Sequence, residues 1–431
     1  MGFRQKLRGA AIAALIGPGA QRLEISIHRA LSLGARRLEL YARADDPYSY
    51  LLAQLALELG DRYRVAVAWT PVATPGADVE PEPELRLRYA VRDCRELARH
   101  YEVDFPSDGP DRPDQRAVAR AEAMWAGADP LTTEAVVEIG RALWSGDELA
   151  LVRAESRWRP LGGSDAADRL DANSRRQRRR GHYQGAMAYL DGLWAWGPDR
   201  LHYIERELGG PGVAPLFRRR ERPSGDDNAP QAAPDRLEMF HSFRSPYSYL
   251  AIEPTIAMAR ELDIELTIRP VLPMVMRGMP VPFAKRLYIA RDAMREAKRL
   301  EIPFGSICDP LGAGVERCMA LFEIADAAGR APEFCLSAGR GIWSEAMDTT
   351  SDRDLQLICE RAGVDFDVST LSTDGAWREW AEVNRAALLG AGLWGVPCYR
   401  SGAFTCWGQD RLWLLAQKID SAQLSAQRAT P

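Results

Sequence analysis

The stretch S-P-Y-S-Y-L at residues 245–250 follows an alternating apolar run, and a near copy, D-P-Y-S-Y-L, stands at residues 46–51. Its proline suits the first turn of a helix, where the missing N–H costs nothing. Cysteine in place of both serines would give C-P-Y-C, a thiol–disulfide motif at a helix start. Neither copy contains sulfur. The stretch therefore predicts a strand followed by a helix whose start has no redox chemistry of its own.

The two stretches belong to a long internal repeat. Residues 38–72 align with residues 237–271 without a gap, at an offset of 199 residues. The string Y-x-x-R-D at 89–93 returns at 288–292 with the same offset. The string W-G-x-D-R-L at 407–412 lies 211 residues after its first copy, so the second copy has gained 12 residues late in the repeat. We interpret the chain as a tandem duplication, because chance does not keep one register over so long a stretch.

Composition and charge bound the class of protein. A chain of 431 residues, 46% hydrophobic and 27% charged, can form two or three ordinary globular domains. The formal net charge of −4 gives no reason to expect a nucleic-acid partner. The seven cysteines form no C-x-x-C pair and the five histidines are scattered, so neither a disulfide framework nor a metal site is expected. This cysteine usage fits a reducing compartment.

Residues 1–36 are predicted to be an N-terminal extension. Three basic residues precede a short apolar stretch at 10–16, a pattern compatible with a weak secretory signal or with an amphipathic helix. We favour the helix and a cytoplasmic location, because the apolar stretch is at the short end of the range for a signal. No apolar run approaches the ~18 residues of a membrane span, so no membrane partner is expected.

Two stretches have the composition of connectors. Residues 209–236 are rich in Gly, Pro, Asp, Asn and Arg and are predicted to link two domains. Residues 159–181 are predicted to be a loop inside the first copy. The run R-R-Q-R-R-R at 175–180 suits nucleic acid, but no aromatic residues are interleaved with the arginines, which favours a solvated loop.

The second copy gives a readable order of elements. Residues 237–243 alternate as a strand, a helix begins at Pro246, and Ile264, Leu266 and Ile268 alternate as a second strand. A mostly helical stretch covers 283–389. Two short strand-like pieces then flank a Ser-Gly turn, and a last helix closes the copy. The predicted order is strand, helix, strand, helical insert, strand, strand, helix.

This order resembles a thioredoxin fold with a helical insert, and more narrowly the DsbA-like branch that contains 2-hydroxychromene-2-carboxylate isomerases and kappa-class glutathione transferases. The strings that carry the resemblance are S-P-Y-S-Y-L, R-P-V-L (269–272), G-I-W-S-E-A-M-D (341–348), G-V-P (395–397) and W-G-Q-D-R-L (407–412). The resemblance implies an α/β fold class of two tandem thioredoxin-like (DsbA-like) domains, each with a helical insertion. Residues 237–420 would form the domain with the intact site, and residues 37–208 a degenerate copy.

The resemblance also implies a cofactor, glutathione, bound by the second domain. Ser245 would donate a hydrogen bond to the glutathione sulfur and favour the thiolate. Val396, before a cis Pro397, would pair its backbone with the glutathione backbone. Gln409 and Asp410, at the start of the last helix, would hold the γ-glutamyl end.

Structural roles remain open for the same residues. Ser245 could be only a helix N-cap, Pro397 could follow an ordinary trans bond, and Asp410 could cap a helix or pair with Arg411. Tyr247 and Trp407 suit packing, with a second possibility that they line the substrate pocket.

Arg269 is a further candidate for the substrate pocket. Cys398 and Cys406 could be buried apolar thiols or a reactive pair on neighbouring strands.

The first copy departs from the pattern at the positions that would bind glutathione. Asp46 stands in place of Ser245, and the offset of 211 places Ala186 at Pro397 and Pro198 at Gln409, while Asp199 is kept. A carboxylate beside a thiolate repels it, so we expect a copy that packs but does not catalyse.

The sequence therefore predicts a glutathione-dependent isomerase or transferase for a small aromatic or unsaturated substrate. A DsbA-like thiol–disulfide oxidoreductase and a non-catalytic binding protein are the alternatives. Relatives with a single domain form two-fold dimers, so we expect a monomer in which the two copies form an intramolecular pseudo-dimer.

Overall fold

The computed structural model describes residues 14, 16–31, 36–76, 79–210, 214, 216, 234–279, 281–375 and 377–429. The chain divides into two units, Gln21–Arg220 and a second unit made of Met1–Ala20 with Glu221–Pro431. Half of the predicted extension (1–36) and most of the predicted linker (209–236) lie outside the described residues, and those boundaries stay predictions. Within the described ranges, no helix is long and apolar enough to cross a membrane.

After a first helix, the first half of the chain contains a strand, a helix and a second strand. A run of helices and a closing β-hairpin follow. The strands are β1 (Arg37–Ala42), β2 (Ala66–Pro71), β3 (Met187–Leu190) and β4 (Leu193–Trp196). The helices are α1 (Pro18–Leu31), α2 (Pro47–Tyr63), α3 (Pro83–Tyr101), α4 (Gln115–Gly127), α5 (Thr133–Ser145), α6 (Glu148–Arg157), α7 (Gly163–Arg179) and α8 (Leu201–Gly209), with a 3-10 turn at Pro198–Arg200.

The second half repeats this order. Its strands are β5 (Arg236–His241), β6 (Glu265–Pro270), β7 (Cys398–Ser401) and β8 (Phe404–Trp407). Its helices are α9 (Pro246–Glu261), α10 (Phe283–Arg299), α11 (Ala313–Ala327), α12 (Ala331–Ser344), α13 (Asp352–Ala362), α14 (Trp377–Gly390) and α15 (Leu412–Ala429), with 3-10 turns at Met274–Arg277, Val368–Thr370 and Gln409–Arg411.

Each half contains one four-stranded sheet with the same topology. The strand orders are β2-β1-β3-β4 and β6-β5-β7-β8. The first two strands of each sheet are parallel, and the other neighbours are antiparallel. A helical insertion, α3 to α7 or α10 to α14, separates the two strand pairs. The fold class is therefore the predicted one, α/β with two tandem thioredoxin-like domains.

The strand registers follow the sequence alignment residue by residue. Leu38 pairs with Val67 and Leu237 with Leu266, an offset of 199 residues in both strands. Glu39 pairs with Tyr189 and Glu238 with Arg400, where the second partner is offset by 211. The sequence repeat is thus also a repeat of backbone pairing.

The central strand of the second sheet, β5, separates two kinds of environment. Leu237 and Met239 lie in the hydrophobic core. Glu238, between them, faces the other side of the sheet, where the guanidinium groups of Arg269 and Arg400 both donate to its carboxylate. This alternation, with a period of two, sets which face packs against the long helices.

The 12 extra residues of the second copy lie between α12 and α14. The N-caps of α6 and α13, Asp147 and Ser351, are offset by 204 residues. The offset reaches 211 at Asn173 and Asn384, whose side-chain amides donate to Pro71 O at 2.9 Å and to Pro270 O at 3.0 Å. Two short insertions around α13 therefore account for the change of register, and α7 is equivalent to α14.

The loop predicted for residues 159–181 is wrong, because most of it is helix α7. Its composition is charged, but Ala, Leu, Gln and Arg all favour helix. One face of the helix packs against the end of β2, where Ser174 Oγ accepts a hydrogen bond from Ala73 N at 2.9 Å. Arg175 and Arg178 on the other face are exposed. The arginine run is therefore the solvated face and C-terminal end of a helix.

We expect Gly339→Ala to lower the free energy of unfolding by about 1–3 kcal/mol through overpacking. A Cβ at Gly339 in α12 would lie 2.7 Å from Cδ2 of Tyr249 in α9. Gly375→Ala is the control, since a Cβ there meets nothing within 4 Å and the change should be neutral or slightly stabilising. Chemical denaturation measures both. Equal effects of the two changes would contradict tight packing of α12 on α9.

Candidate functional site

Ser245 is the N-cap of α9. Its Oγ accepts a hydrogen bond from Ser248 N at 3.1 Å and donates one to Val396 O at 3.4 Å. The capping role left open by the sequence is therefore confirmed. A hydroxyl has one proton and two lone pairs, so capping leaves the O–H free to turn from Val396 O to another acceptor.

The second serine of the motif fixes the turn that precedes the helix. Ser248 Oγ accepts a hydrogen bond from Ser242 N at 3.3 Å, and its equivalent in the first unit, Ser49 Oγ, accepts one from Arg43 N at 3.1 Å. Both hydroxyls are buried. This serine is structural in both units, which explains why the two motifs share it while they differ at the cap.

The cis bond predicted between Val396 and Pro397 is present. Gly408 N donates to Pro397 O at 2.9 Å, which ties this turn to the start of the 3-10 segment Gln409–Arg411. Together with the contact from Ser245, this bond brings three separate stretches of sequence to one place.

Gln409 has a buried polar atom with unused hydrogen-bonding capacity, and Asp410 follows it in the chain. Gln409 is 7% exposed, and its Nε2 has no hydrogen-bond acceptor among the described residues. Asp410 Oδ1 lies 3.6 Å from Arg411 Nη1, so the ion pair left open by the sequence is present. A Cβ on Gly408 would lie 2.4 Å from Asp410 Oδ1, and the φ of Gly408 is 102°. Only glycine leaves room here for the carboxylate.

Tyr247 is anchored by a residue that the sequence analysis did not select as functional. Its OH donates to Asp292 Oδ2 at 2.8 Å, and Asp292 is 1% exposed. Tyr48 OH and Asp93 Oδ2 make the same bond at 2.7 Å in the first unit. The repeated string Y-x-x-R-D was the available signal. Because both units keep the bond, it belongs to the fold, joining the long helix after the motif to the insertion.

Trp407 and Arg269, the two other candidates for the substrate pocket, have different neighbours. Trp407 packs against Trp394, with ring centroids 5.1 Å apart, and its Nε1 would be 3.0 Å from a Cβ on Gly395. It therefore borders the Val396 turn. Arg269 donates to Glu238 and to Asn384 Oδ1 on the sheet face covered by α14. Its role in a pocket stays a prediction.

A positive charge precedes the cap. Arg244 makes a two-pronged ion pair with Asp309, with Nε and Nη2 at 2.7 and 2.8 Å from the two carboxylate oxygens. The equivalent residue in the first unit is Asp45. The charges flanking the two helix starts therefore have opposite sign.

The two cysteines nearest the site cannot form a disulfide with each other. Tyr399 pairs directly with Cys406, so these two share one face of the sheet, and Cys398 points to the opposite face. Other thiols of the second unit are also poor nucleophiles, since burial raises the pKa of Cys308 to about 11 and that of Cys318 to about 12.

In the first unit, the position equivalent to Ser245 is closed to solvent. Asp46 caps α2 only by backbone, with no side-chain hydrogen bond to the helix, and is 0% exposed. Ala186 has a φ of 50°, and its N–H donates to Ser49 Oγ at 3.1 Å. Proline has no N–H, so Pro397 of the second unit cannot make this bond.

The sequence comparisons agree with this geometry for the second unit. Residues 236–420 match the family of DSBA-like thioredoxin domains. They form a DsbA-like thioredoxin domain. No curated protein matches the chain significantly.

Three similar solved structures each match about half of this chain over nearly their whole length. A 2-hydroxychromene-2-carboxylate isomerase is 24% identical, with a TM-score of 0.37, and the match covers 45% of this chain and 98% of that chain. The cytosolic disulfide reductase DsbM from Pseudomonas aeruginosa is 16% identical, with a TM-score of 0.35 and the same coverages. A probable DsbA oxidoreductase from Streptomyces coelicolor is 17% identical, with a TM-score of 0.34 and coverages of 46% and 92%.

We expect Gly408→Ala to destabilise the second unit more than Gly402→Ala does. Both glycines have positive φ. Gly402, at φ 58°, is in the left-handed region, which costs alanine about 1 kcal/mol, whereas Gly408, at φ 102° and ψ 145°, is in a region that is almost restricted to glycine and costs alanine more. Only the change at Gly408 also drives a methyl group into Asp410, whereas the nearest atom at Gly402 is 3.8 Å away. Chemical denaturation of both variants gives the difference. Equal losses would mean that Asp410 is free to move aside.

Proposed function

We propose that the second unit binds glutathione and uses it in the isomerisation of, or transfer to, a small aromatic or unsaturated molecule. The observation that carries this is the contact between Ser245 Oγ and Val396 O, which brings the helix start beside the Val396–Pro397 turn. Gln409 and Asp410 lie next to that turn in the chain of hydrogen bonds through Gly408.

The residues present fit a tripeptide thiol. The buried Gln409 Nε2 is a donor in need of an acceptor, which the carboxylate of a γ-glutamyl group supplies. Asp410, beside the glycine that makes room for it, suits an ammonium group. When bound, glutathione supplies a thiol whose thiolate can add reversibly to an electrophilic carbon.

The chain's own residues would keep that thiol ionised. The Ser245 hydroxyl can donate to sulfur without losing its role as cap. The N-terminal end of α9 carries the positive end of the helix dipole, which favours a negative charge at this position. The 16-residue length of α9 supports a full dipole.

The redox alternative lacks a nucleophile in this unit. Serine occupies both cysteine positions of the motif, and Cys398 and Cys406 are buried on opposite faces of the sheet. We further propose that the two units arose by duplication and that the first lost its thiol site. The matching registers and the charge reversal beside the helix start support this.

Ser245→Ala should raise the pKa of the bound glutathione thiol by one to two units. Losing one hydrogen bond to a charged group is worth about 1.5–3 kcal/mol, and one pKa unit corresponds to about 1.36 kcal/mol. The measurement is the ultraviolet absorbance of the bound thiolate against pH.

Ser351→Ala is the matched control for the Ser245 experiment. Ser351 caps α13 through Asp354 N, so its loss should cost similar stability, about 1 kcal/mol, and leave the thiol unchanged. An unaltered titration in Ser245→Ala would reduce Ser245 to a helix cap.

Calorimetry on the full chain should give one glutathione per chain. Gln409→Met removes the unpaired donor at nearly constant volume and should weaken binding about five- to tenfold, the equivalent of roughly 1 kcal/mol. Asp199→Asn, at the equivalent 3-10 segment of the first unit, should have no effect. Two sites per chain, or sensitivity to the change at Asp199 alone, would contradict the assignment to the second unit.

A further inference from the structure

The start of α2 in the first unit is surrounded by charged side chains, of which Asp45 is half-buried and the others are buried. They are here called the Asp46 cluster: Arg43, Asp45, Asp46, Glu80 and Arg86. Arg43 contacts Asp45 at 2.8 Å and Glu80 at 2.7 Å. Arg86 lies 3.4 Å from Glu80 and 3.6 Å from Asp46. Among the described residues, no such group has the geometry to hold a metal ion.

Asp46 is the member of the cluster whose side chain makes no hydrogen bond among the described residues. Neither carboxylate oxygen has a donor among the described residues, and the side chain is fully buried. The N–H of Ser49 goes to the backbone oxygen of Asp46 instead of its carboxylate. Gly185 closes the other side, because a Cβ there would lie 3.0 Å from Oδ2. A charge at this position would have neither water nor a direct hydrogen bond.

The cluster holds three carboxylates and two guanidinium groups, so one carboxylate is in excess. Arg43 contacts Asp45 and Glu80, and Arg86 lies between Glu80 and Asp46, at 3.4 and 3.6 Å. Of the three carboxylates, that of Asp46 is the one without a hydrogen bond among the described residues. An ionised Asp46 would add a third negative charge in a site closed to water, which is costly. The dipole of α2 and the Arg86 guanidinium, 3.6 Å from Asp46, favour ionisation, but neither replaces the lost hydration.

Titratable groups on the neighbouring elements either leave the charge balance around Asp46 unchanged or make ionisation of Asp46 less favourable. Glu122 in α4 faces Asp45 and Arg43, and burial raises its pKa to about 7. His182, before β3, stays neutral because burial lowers its pKa to about 3. Burial also raises the pKa of the Tyr183 hydroxyl, which faces Glu80 and Arg86.

The adjacent residues Asp45 and Asp46 differ in the direction in which their pKa values are shifted. Burial opposes ionisation of Asp45, but the Arg43 guanidinium outweighs it and lowers the pKa of that carboxyl. For Asp46, burial dominates over Arg86 and Arg43 and raises the pKa.

We propose that Asp46 is held as a neutral carboxylic acid at neutral pH, and that alkaline conditions charge it and loosen the start of α2. The first unit then carries a proton switch at the position where the second unit presents Ser245. This proposal is independent of whether the second unit binds glutathione.

The sign of the pH dependence follows from linkage. The folded chain holds this proton more tightly than the unfolded chain, whose Asp titrates near about 3.9. The contribution of Asp46 to stability is thus complete below that value and falls as pH rises towards the folded-state pKa. Within this window, the folding equilibrium constant decreases up to tenfold per pH unit relative to a residue that cannot titrate.

Asp46→Asn keeps the shape of the neutral acid and removes the titration. Hydrogen exchange of the full chain, followed in peptides covering residues 46–60 from about pH 5 to about pH 9, compares wild type with this variant at each pH. We expect the ratio of wild-type to variant protection to fall as pH rises. A ratio that stays constant would overturn the proposal.

Infrared spectroscopy gives a direct second readout. In a Glu122→Gln background, which removes the other candidate acid, the carbonyl band of a protonated carboxylic acid should be present at pH 7 and should disappear with Asp46→Asn. If Asp46→Asn does not fold, the same difference spectrum is measured with Asp46→Ser. Absence of the band from the difference spectrum would show that Asp46 is ionised.

Discussion

The whole arrangement depends on the sharp turn from the first strand of each sheet into the long helix that follows. A buried serine hydroxyl makes that turn by accepting the backbone N–H six residues earlier, at Ser248 in the second unit and Ser49 in the first. A proline at the first helical position fixes the backbone on the other side. With the turn fixed, the residue at the cap faces the turn that precedes the third strand of the sheet, whatever its chemistry.

The two units use the same frame for opposite purposes. In the second unit the cap is a serine hydroxyl beside Val396, with a buried amide donor at Gln409 and room for Asp410. In the first unit the cap is Asp46, and the loop after β2 folds Glu80 onto Arg43, which closes the site. The residue at the cap and its neighbours thus distinguish the site where we propose that glutathione binds from a sealed polar cluster.

The sequence predicted the element order, the repeat and the site segments, because each depends on local signals. The motif S-P-Y-S marks a helix start, and alternating residues mark the strands. The sequence-based prediction was wrong at residues 159–181, where the high charge was interpreted as a sign of a loop. That helix exists because one face, with Asn173 and Ser174, bonds to the end of β2, and no local pattern in a charged run indicates such a contact. Asp292 was missed as a functional residue for a related reason, since its partner Tyr247 is 45 residues away.

What the sequence by itself determined is the frame: two α/β units with one register, the absence of sulfur from both motifs, and the absence of the second unit's Pro397 from the equivalent position of the first. Only the tertiary structure decided which residues meet. It brings Ser245 to Val396 across 151 residues, separates Cys398 from Cys406 although they are eight residues apart, and encloses Asp46 among charges from distant elements. The physical reason is that secondary structure follows short-range periodicity and capping. Burial, pairing across strands and charge balance depend on contacts that exist only after the chain has folded.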